Sequence, residues 1–378
     1  MGLFSKASIV MTPNGVKAGK VYSIKPSNGD GDFTFSRSTV ANKEASDDLI
    51  TEVAANVPRL DYSDGTCPSI LLEPQSTNLI TYPLSFDNAY WAKSGVTVVG
   101  GQTAPSTDNP TGAFKLTFAS DNYMYATVSS GAADTSSIYI KGTAGETIKF
   151  GKAGNVGGGS FFTLSGDWQR LEFYNSNAAL NVVLLSTLSG ATARVVYVFG
   201  AQVEALPYPT SLMLPATEGS TVTRTADLCT NSGTVNDFNS VEGVLYVEAS
   251  LLHDDNSNKY IGIADASGNN AVQLDLDYSN SRLQFVVRSG GVVQVNIKLP
   301  YLGTSTDKFA LKWILGNFSI FLNGNLIGTQ TSGVTPIGLS NLNFNSSTGS
   351  GPFYGKVKDL RVYKKALTDA ELITLTTL

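Results

Sequence analysis

Two aspartates spaced by one position, Asp275 and Asp277 in the run QLDLDY, are the residues best placed to do acid–base chemistry. In an extended strand, alternate side chains point to the same face, so the two carboxyl groups would lie side by side. Glycoside hydrolysis uses two carboxyl groups that flank the scissile bond. We interpret this pair as surface aspartates, or as a weak pair of calcium ligands, rather than as a catalytic centre.

The single histidine, His253, stands before Asp254 and Asp255 in SLLHDDNSNKY. A Ser-His-Asp site would need such a base and an orienting acid, but the polar composition of this run is typical of a solvated turn. Asp254, Asp255 and Asn256 offer the hard oxygen ligands that calcium prefers, and they are the calcium candidates. With one histidine and two distant cysteines, the sequence predicts no transition-metal site and no cofactor.

A second pattern consists of tyrosines next to amide and carboxyl groups, and this pattern is suited to binding sugars. A sugar ring has an apolar face and a polar rim, and aromatic rings can serve as platforms for the apolar face. In DNYMYATVS two tyrosines share a strand face, and a third tyrosine ends the run LDLDY. The alternative is that these are half-buried tyrosines of a sheet. The candidate glycan-binding residues are Tyr123, Tyr125, Asp121, Asn122, Tyr278 and Asn280.

The three tryptophans and the two cysteines are predicted to be structural. Trp91, Trp168 and Trp313 are expected in the core, and the N–H group of Trp91 is expected to be hydrogen-bonded. Cys67 and Cys229 are too few and too far apart for a disulfide scaffold. We expect two buried free thiols in a protein that folds in a reducing cytoplasm.

The candidate residues named above must be positioned by the local structure of the chain. The sequence consists largely of short runs of Val, Ile, Phe and Tyr that are separated by clusters of Gly, Asn, Asp and Ser. Such punctuated runs indicate antiparallel strands. Asn323-Gly324, between FSIFL and NLIGT, predicts a type I′ hairpin, and Thr368 with Glu371 predicts a capped short helix. The predicted fold class is all-β: two antiparallel β-sandwich (jelly-roll) domains preceded by an extended, loop-rich N-terminal attachment region.

Proline and composition shifts divide the chain into four predicted parts. Residues 1–75 form the N-terminal region, 76–210 a first sandwich, 211–230 a Thr/Ser-rich linker and 231–378 a second sandwich. The length of 378 residues agrees with more than one core.

Charge is sparse in this sequence. Charged residues make up 15% of the chain, and 26 basic against 31 acidic residues give a net charge of −5. Without a Lys/Arg run, nucleic-acid binding is not predicted. No apolar run approaches the roughly 18 residues that span a bilayer, so membrane insertion is not predicted. A surface covered mainly by Ser, Thr, Asn and Gly suits proteins that meet glycans.

Several long runs resemble known families. The runs FSRSTVANKEASDDLITEVAANVPRLDY and CPSILLEPQSTNLI resemble the N-terminal region of many bacteriophage head-fibre, spike and tail-associated proteins. GAQVEALPYPTSLMLPATEGSTVTRTADL resembles the segment that ends a carbohydrate-binding-module-like jelly roll in the same proteins. The stretch from GVLYVEAS to KVKDLRVYKKALTDAEL resembles a concanavalin A-like, or laminin-G-like, lectin domain.

These resemblances imply a protein of the virion surface, assembled in the cytoplasm of a bacterial host. They imply attachment to other virion proteins through residues 1–75, 76–210 as a carbohydrate-binding-module-like sandwich, and 231–378 as the lectin-like sandwich. Glycanases of the lectin-like fold carry Glu-x-Asp-x-(x)-Glu on one strand, and no such triplet is present. We therefore expect no enzymatic activity.

Three functions follow as hypotheses. The first is a phage head fibre, spike or tail-associated fibre that attaches to host-surface glycans. The second is a structural decoration or assembly protein without a specific ligand. The third is a virion polysaccharide depolymerase, which the missing triplet disfavours.

The proline-interrupted stretch before residue 75 has apolar residues but few local strands to bury them. By analogy with phage fibres, we expect these residues in a subunit interface, that of a homotrimer. The candidate interface residues are Val57, Leu60, Ile70, Leu71 and Leu72.

Overall fold

The computed structural model describes residues 2–154, 158–177, 182–187, 192–253, 257–277, 282–301, 303 and 305–378. The chain divides into two compact units, which we describe separately. Unit 1 comprises Met1–Ser38, Ala55–Pro74 and Ala226–Leu378, and unit 2 comprises Thr39–Ala54 and Gln75–Thr225. Each unit is therefore assembled from segments that are distant in sequence.

Nearly all regular structure is antiparallel β-strand, which confirms the predicted fold class. In chain order, the elements up to Thr225 are α1 (Leu3–Lys6), β1 (Ala7–Met11), β2 (Val16–Lys17), β3 (Lys20–Val21), β4 (Phe33–Ser36), β5 (Ala41–Glu44), β6 (Ile50–Val53), β7 (Arg59–Asp61), β8 (Ser69–Leu72), β9 (Ser76–Asn78), β10 (Ala92–Gln102), β11 (Ala113–Thr127), β12 (Asp134–Gly142), β13 (Thr147–Ala153), β14 (Ser160–Thr163), β15 (Gln169–Asn175), β16 (Val182–Ser186), β17 (Arg194–Glu204) and β18 (Val222–Arg224). The elements that follow are β19 (Leu228–Thr230), β20 (Glu242–Leu251), β21 (Asn258–Ala264), β22 (Ala271–Asp277), β23 (Arg282–Ser289), β24 (Val292–Pro300), β25 (Asp307–Ile314), β26 (Phe318–Leu322), β27 (Asn325–Gln330), β28 (Asn341–Asn343), β29 (Gly355–Tyr363) and α2 (Asp369–Thr376). Neither of these two described helices has the length and apolarity needed to cross a bilayer.

Two of the antiparallel sheets in unit 1 face each other across a large buried cluster. The larger sheet has the order β27-β26-β25-β20-β29-β8-β7, with β1 also paired to β29. The smaller sheet has the order β24-β23-β22-β21-β28. Val247 of the larger sheet and Leu274 and Phe285 of the smaller sheet belong to the same buried cluster. Burial of alternate side chains from both sheets stabilises this arrangement.

Two local predictions in unit 1 are confirmed. Asn323 and Gly324 connect β26 to β27 with φ angles of +47° and +80°, the left-handed backbone that a type I′ turn requires. At the start of α2, the backbone N–H of Glu371 donates to Thr368 Oγ1 over 3.3 Å, and the Glu371 carboxylate accepts from the Thr368 N–H. Both features depend only on neighbouring residues.

A long bent hairpin, β10 and β11, organises unit 2. The first half of β11 pairs with β17 and the second half with β16, while β10 pairs along both halves. The bend lies at Gly95 and Asp121, whose φ angles are +64° and +59°. Asn122 Nδ2 donates to the Gly95 carbonyl over 3.0 Å, and a Cβ at position 95 would lie 2.3 Å from that amide. Met124 on β11 and Val198 on β17 both belong to the large buried cluster of this unit.

The N-terminal residues contribute strands to both units. Residues 1–38 and 55–74 lie in unit 1, and residues 39–54 lie in unit 2. The predicted linker also contains strands, because β18 pairs with β9 in unit 2 and β19 pairs with β4 in unit 1.

Apolar residues before residue 75 were expected in a subunit interface because few local strands could bury them. That reason is wrong for three of these residues. Ile70, Leu71 and Leu72 form β8, which pairs with β29 of the same chain and leaves them at most 4% exposed. Val57 and Leu60 are half-buried. The homotrimer itself stays a prediction.

Predictions for the tryptophans and cysteines are confirmed in part. Trp91 and Trp313 are buried, and their Nε1 groups donate to backbone carbonyls over 2.9 and 3.0 Å. Trp168 is only half-buried, because it packs beside a small satellite cluster, with the Lys141 ammonium 5.4 Å from its ring. Cys229 is a buried free thiol as predicted, but Cys67 is exposed, because it lies in the turn between β7 and β8.

Candidate functional site

The strand that carries Asp275 turns a polar face away from the core of unit 1. Along β22, Val272 and Leu274 are buried in the core, while Gln273 and Asp275 alternate with them on the opposite face. The side chain of Asp277 lies outside the described residues. Alternation thus places an amide and a carboxyl group side by side on the outer surface of the smaller sheet.

A pocket of about 320 Å³ opens over this polar face. Its floor is formed by side chains of three neighbouring strands, and its rim by three loops. The floor residues are Tyr260 on β21, Gln273 and Asp275 on β22, and Arg288 on β23. The rim comes from residues 268–269, Gly291 and the loop 346–350.

Gln273 is a fixed part of the floor, because it is 3% exposed and both ends of its amide are engaged. Its Oε1 accepts the backbone N–H of Ser347 over 3.2 Å, and its Nε2 donates to Asp275 Oδ1 over 3.2 Å. Gly262 lies opposite on β21, where a Cβ would come within 2.8 Å of the Gln273 side chain. A glycine at this position leaves room for the amide.

Hydroxyl groups form one side of the rim. Ser346 Oγ accepts the backbone N–H groups of Ser350 and Thr348 over 3.0 and 3.3 Å. The hydroxyls of Thr348 and Ser350 lie 3.0 and 2.9 Å from Ser346 Oγ. Gly268 adopts φ +72° against this loop, and a Cβ there would lie 2.4 Å from the Ser347 carbonyl. The result is a pre-formed rim of small polar groups.

Tyr260 supplies the aromatic ring of the floor. Its hydroxyl accepts from Asn258 Nδ2 over 3.1 Å, and its backbone N–H donates to the Gly351 carbonyl over 3.1 Å. Gly351 has φ +56°, and a Cβ there would lie 2.3 Å from the tyrosine ring. Close backbone approach at this glycine therefore holds the ring in place.

The pocket has the chemistry of a site for a polar ligand. It combines one aromatic face, amide and hydroxyl groups, and opposite charges from Asp275 and Arg288, the mixture expected of a site for a hydroxyl-rich molecule. Among the described residues that line it, Asp275 is the only carboxyl group. Glycoside hydrolysis by the usual route needs a second one.

The structure brings the two tyrosines predicted as a glycan platform together on unit 2. The rings of Tyr123 and Tyr125 have centroids 6.0 Å apart, and both side chains are half-buried. Asp121 is exposed at the bend, whereas Asn122 is engaged in holding that bend through Gly95. The tyrosine pair therefore remains a candidate platform, and Asn122 is better explained as structural.

A row of side chains crosses the sheet next to this pair. Tyr123 is in register with Ser186 on β16, Ser186 with Lys149 on β13, and Lys149 with Phe161 on β14. The Lys149 ammonium lies 5.2 Å from the Phe161 ring, and Phe161 is 48% exposed. At about 4.8 Å per strand, the two aromatic residues are roughly 14 Å apart.

A second pocket of unit 1, of about 340 Å³, lies beside Cys67, Glu248 and Asp359. Glu248 and Asp359 are directly opposed on β20 and β29. Burial raises the pKa of Asp359, and the neighbouring Glu248 carboxylate adds to that rise, whereas the Arg361 guanidinium opposes it. Arg361 Nε donates to Asp359 Oδ1 over 3.1 Å, so this carboxyl group already has a cation of the same strand as its partner.

Four charged residues form a buried network in unit 1. Arg37, from FSRST, donates to Asp227 Oδ1 over 3.0 Å, and Arg59, from VPRLDY, donates to both Asp227 and Glu73. The backbone N–H of Glu73 donates to Asp227 Oδ2 over 2.8 Å. Burial alone lowers the pKa of Arg59, but the two carboxylates raise it above its ordinary value. All four side chains are buried, so this network is part of the scaffold.

A corresponding network in unit 2 contains residues of the run GAQVEALPYPTS. Glu204 is fully buried and accepts from Ser76 Oγ over 2.7 Å, from Gln202 Nε2 over 2.6 Å and from the Thr210 N–H over 2.8 Å. Arg224 Nη1 donates to Thr210 Oγ1 over 3.1 Å. These residues are all buried, so they are also explained by packing.

Several predicted residues lie outside what the structure describes. They are the calcium candidates Asp254, Asp255 and Asn256 and the glycan candidates Tyr278 and Asn280. His253 is described and is half-buried in the loop after β20. Within the described part of the chain, no group of three or more His, Cys, Asp or Glu side chains is placed to hold a metal ion.

One region of the chain matches a known family. Residues 250–373 match the family model described as the Concanavalin A-like lectin/glucanases superfamily, which spans about a third of the chain. Every residue named above for the pocket over β21–β23 falls within that range. No curated protein matches the chain.

Solved structures show only distant likeness. The CBM40 domain of the Ruminococcus gnavus IT-sialidase, bound to α2,3-sialyllactose, is 18% identical with a TM-score of 0.32, over 37% of this chain and 84% of that one. The leech intramolecular trans-sialidase is 19% identical with a TM-score of 0.32, over 37% of this chain and 24% of that one. Domain 4 of an arabinanase from Geobacillus stearothermophilus, with arabinotriose, is 12% identical with a TM-score of 0.33, over 45% of this chain and 82% of that one. At these values none of them supports an inference about the ligand of this chain.

Reasoning from sequence missed most of the pocket. Gln273 could have been found, because it shares the face of Asp275 by the alternation of AVQLDLD. Tyr260, Arg288 and the loop 346–350 could not, because only the pairing of β21 with β22 and of β22 with β23 brings them together.

Proposed function

We propose that this protein is a non-catalytic glycan-binding protein whose sugar site is the pocket over β21–β23. The observation that carries the proposal is the pre-formed floor of this pocket, where Gln273 is locked by two hydrogen bonds beside Asp275. Asp275 can accept hydrogen bonds from sugar hydroxyls, Tyr260 can cover an apolar sugar face, and the hydroxyl loop can complete the rim. The match of this region to a lectin-containing superfamily agrees with that use.

We further propose that the protein belongs to the surface of a bacteriophage particle, as a head fibre, spike or tail-associated fibre. The support is the resemblance of the runs FSRSTVANKEASDDLITEVAANVPRLDY and GAQVEALPYPTSLMLPATEGSTVTRTADL to proteins of that kind. In this proposal, the N-terminal residues contact other virion proteins, and the subunit is a homotrimer. Multi-angle light scattering of the full chain tests the trimer, and a monomer at micromolar concentration would contradict it.

A glycan array probed with the full chain tests the binding function. We expect the natural protein to bind glycans on the array. Asp275→Asn should lower the affinity about 10- to 100-fold, because it removes a charged acceptor while keeping the shape of the side chain. Asp167→Asn, an exposed residue of unit 2, is the matched control and should bind normally. If the folded protein bound no glycan on the array, the result would instead favour a structural decoration protein.

The depolymerase alternative has a direct test. Incubation of host polysaccharide with the protein, followed by measurement of new reducing ends, should show no turnover. Release of oligosaccharides that Asp275→Asn abolishes would refute the non-catalytic proposal.

A further inference from the structure

Arg288 occupies one end of the pocket floor. On β23 it follows the buried Val287 and so points to the outer face, opposite Ala271 of β22 and Val293 of β24. Its side chain is half-buried. The guanidinium therefore stands where a ligand in the pocket would meet it.

No hydrogen-bond or ion-pair partner of the Arg288 guanidinium exists among the residues that the structure describes. Each of the other seven arginines has at least one side-chain contact. Arg37 and Arg59 bind Asp227, Arg361 binds Asp359, and the remaining four, Arg170, Arg194, Arg224 and Arg282, also have partners. No described residue uses the five N–H donors of the Arg288 guanidinium, so the donors are available to an acceptor on a ligand.

The carboxyl group of the pocket is too far along the sheet to serve as that acceptor. Asp275 is in register with Gln284, four residues from Arg288, or about 13 Å along the strand. Gln273 lies between them and donates to Asp275 Oδ1. The floor therefore has a positive end and a negative end, separated by about the length of one or two sugar rings.

We propose, resting on the glycan-binding function above, that the pocket selects a sugar residue bearing a carboxylate. The planar guanidinium of Arg288 binds the carboxylate with two parallel N–H···O bonds. The ring hydroxyls of the same or the next sugar then donate to Asp275. A neutral glycan fills the pocket but leaves Arg288 unpaired, and this difference is the source of the selectivity.

Isothermal titration with a matched pair of ligands tests this proposal. The first ligand is a uronic-acid-containing oligosaccharide, and the second is the same oligosaccharide with its carboxyl groups reduced to alcohols. A sialylated oligosaccharide and its desialylated form provide a second pair, which separates the two common sources of a sugar carboxylate. We expect at least one acidic ligand to bind about 10- to 100-fold more tightly than its neutral partner.

Three variants of the full chain test whether Arg288 causes the preference for the acidic ligand. Arg288→Gln should abolish the preference for the acidic ligand, and it should fold normally because no described contact is lost. Arg288→Lys should retain part of the preference, because a single ammonium replaces the two-pronged contact. Lys365→Gln removes a positive charge from an exposed side chain away from the pocket and should change nothing.

Equal binding of the acidic and neutral ligands would overturn the carboxylate selection and leave the glycan-binding function intact. The same holds for an unchanged preference in Arg288→Gln, or for a sulfated ligand that binds more tightly than both carboxylated ones. Failure of every oligosaccharide to bind the folded protein would overturn both proposals.

Discussion

The buried charge network of unit 1 allows a sharp prediction for Asp227→Asn. Asp227 accepts from Arg37, from Arg59 and from the backbone N–H of Glu73, and its side chain is completely buried. Two arginines and two carboxylates balance in the natural protein. The asparagine keeps the shape but leaves one uncompensated positive charge in the interior.

Removal of one partner from a buried ion pair costs about 3–5 kcal/mol, against a total stability of roughly 5–15 kcal/mol for a domain. For a unit of this size, each kcal/mol lowers the melting temperature by about 2–4 °C. We expect the melting temperature of unit 1 to fall by roughly 6–20 °C, measured by differential scanning calorimetry. Hydrogen exchange should show that the amides of β4, β7, β8 and β19 lose protection.

The charge-balanced double variant Arg59→Met with Asp227→Asn sharpens the test. It leaves Arg37 and Glu73 as one cation and one anion, so it should be more stable than Asp227→Asn alone. Asp167→Asn, which is exposed, should leave the melting temperature unchanged. A shift below about 2 °C for Asp227→Asn, or simple additivity in the double variant, would refute the reasoning.

Two further predictions concern single titratable groups. Iodoacetamide at neutral pH should modify the exposed Cys67 and spare Cys229, because burial raises the pKa of the Cys229 thiol far above its ordinary value. Mass spectrometry should show one label on the folded chain and two after denaturation; a second label under native conditions would contradict this. The Lys6 ammonium, with the Thr368 N–H, lowers the pKa of Glu371 to about 2, so the stability that this group gives to α2 is complete above about pH 4.5 and is lost as the pH falls towards 2. A carboxyl titration followed by NMR should give this low pKa and a higher one in Lys6→Ala, and a midpoint near 4.5 in the natural sequence would be inconsistent with the ion pair.

The strand pattern of this protein is encoded locally. Alternation in AVQLDLD places Val272 and Leu274 on one face and Gln273 and Asp275 on the other, whichever strands become their neighbours. Asn323-Gly324 and the Thr368/Glu371 cap act over a few residues. For this reason the all-β class, the hairpin and the final helix could be predicted without coordinates.

The roles of the charged residues could not be predicted in that way. Arg37 and Asp227 are 190 positions apart, and only the pairing of β4 with β19 brings their segments together. Likewise, the sequence near β8 shows no strand that could bury its apolar residues, because the partner strand β29 follows more than 280 residues later. Burial of such groups depends on long-range pairing, which a local pattern does not contain.

The sequence by itself determined where the chain extends and turns, since backbone preference and side-chain alternation depend on near neighbours. Only the tertiary structure decided which polar groups meet. It paired Arg37 and Arg59 with buried acids, and it placed Arg288 in an open pocket. The physical reason is that a charge acquires its role from its partners and its exposure, and both are set by contacts between segments far apart in the chain.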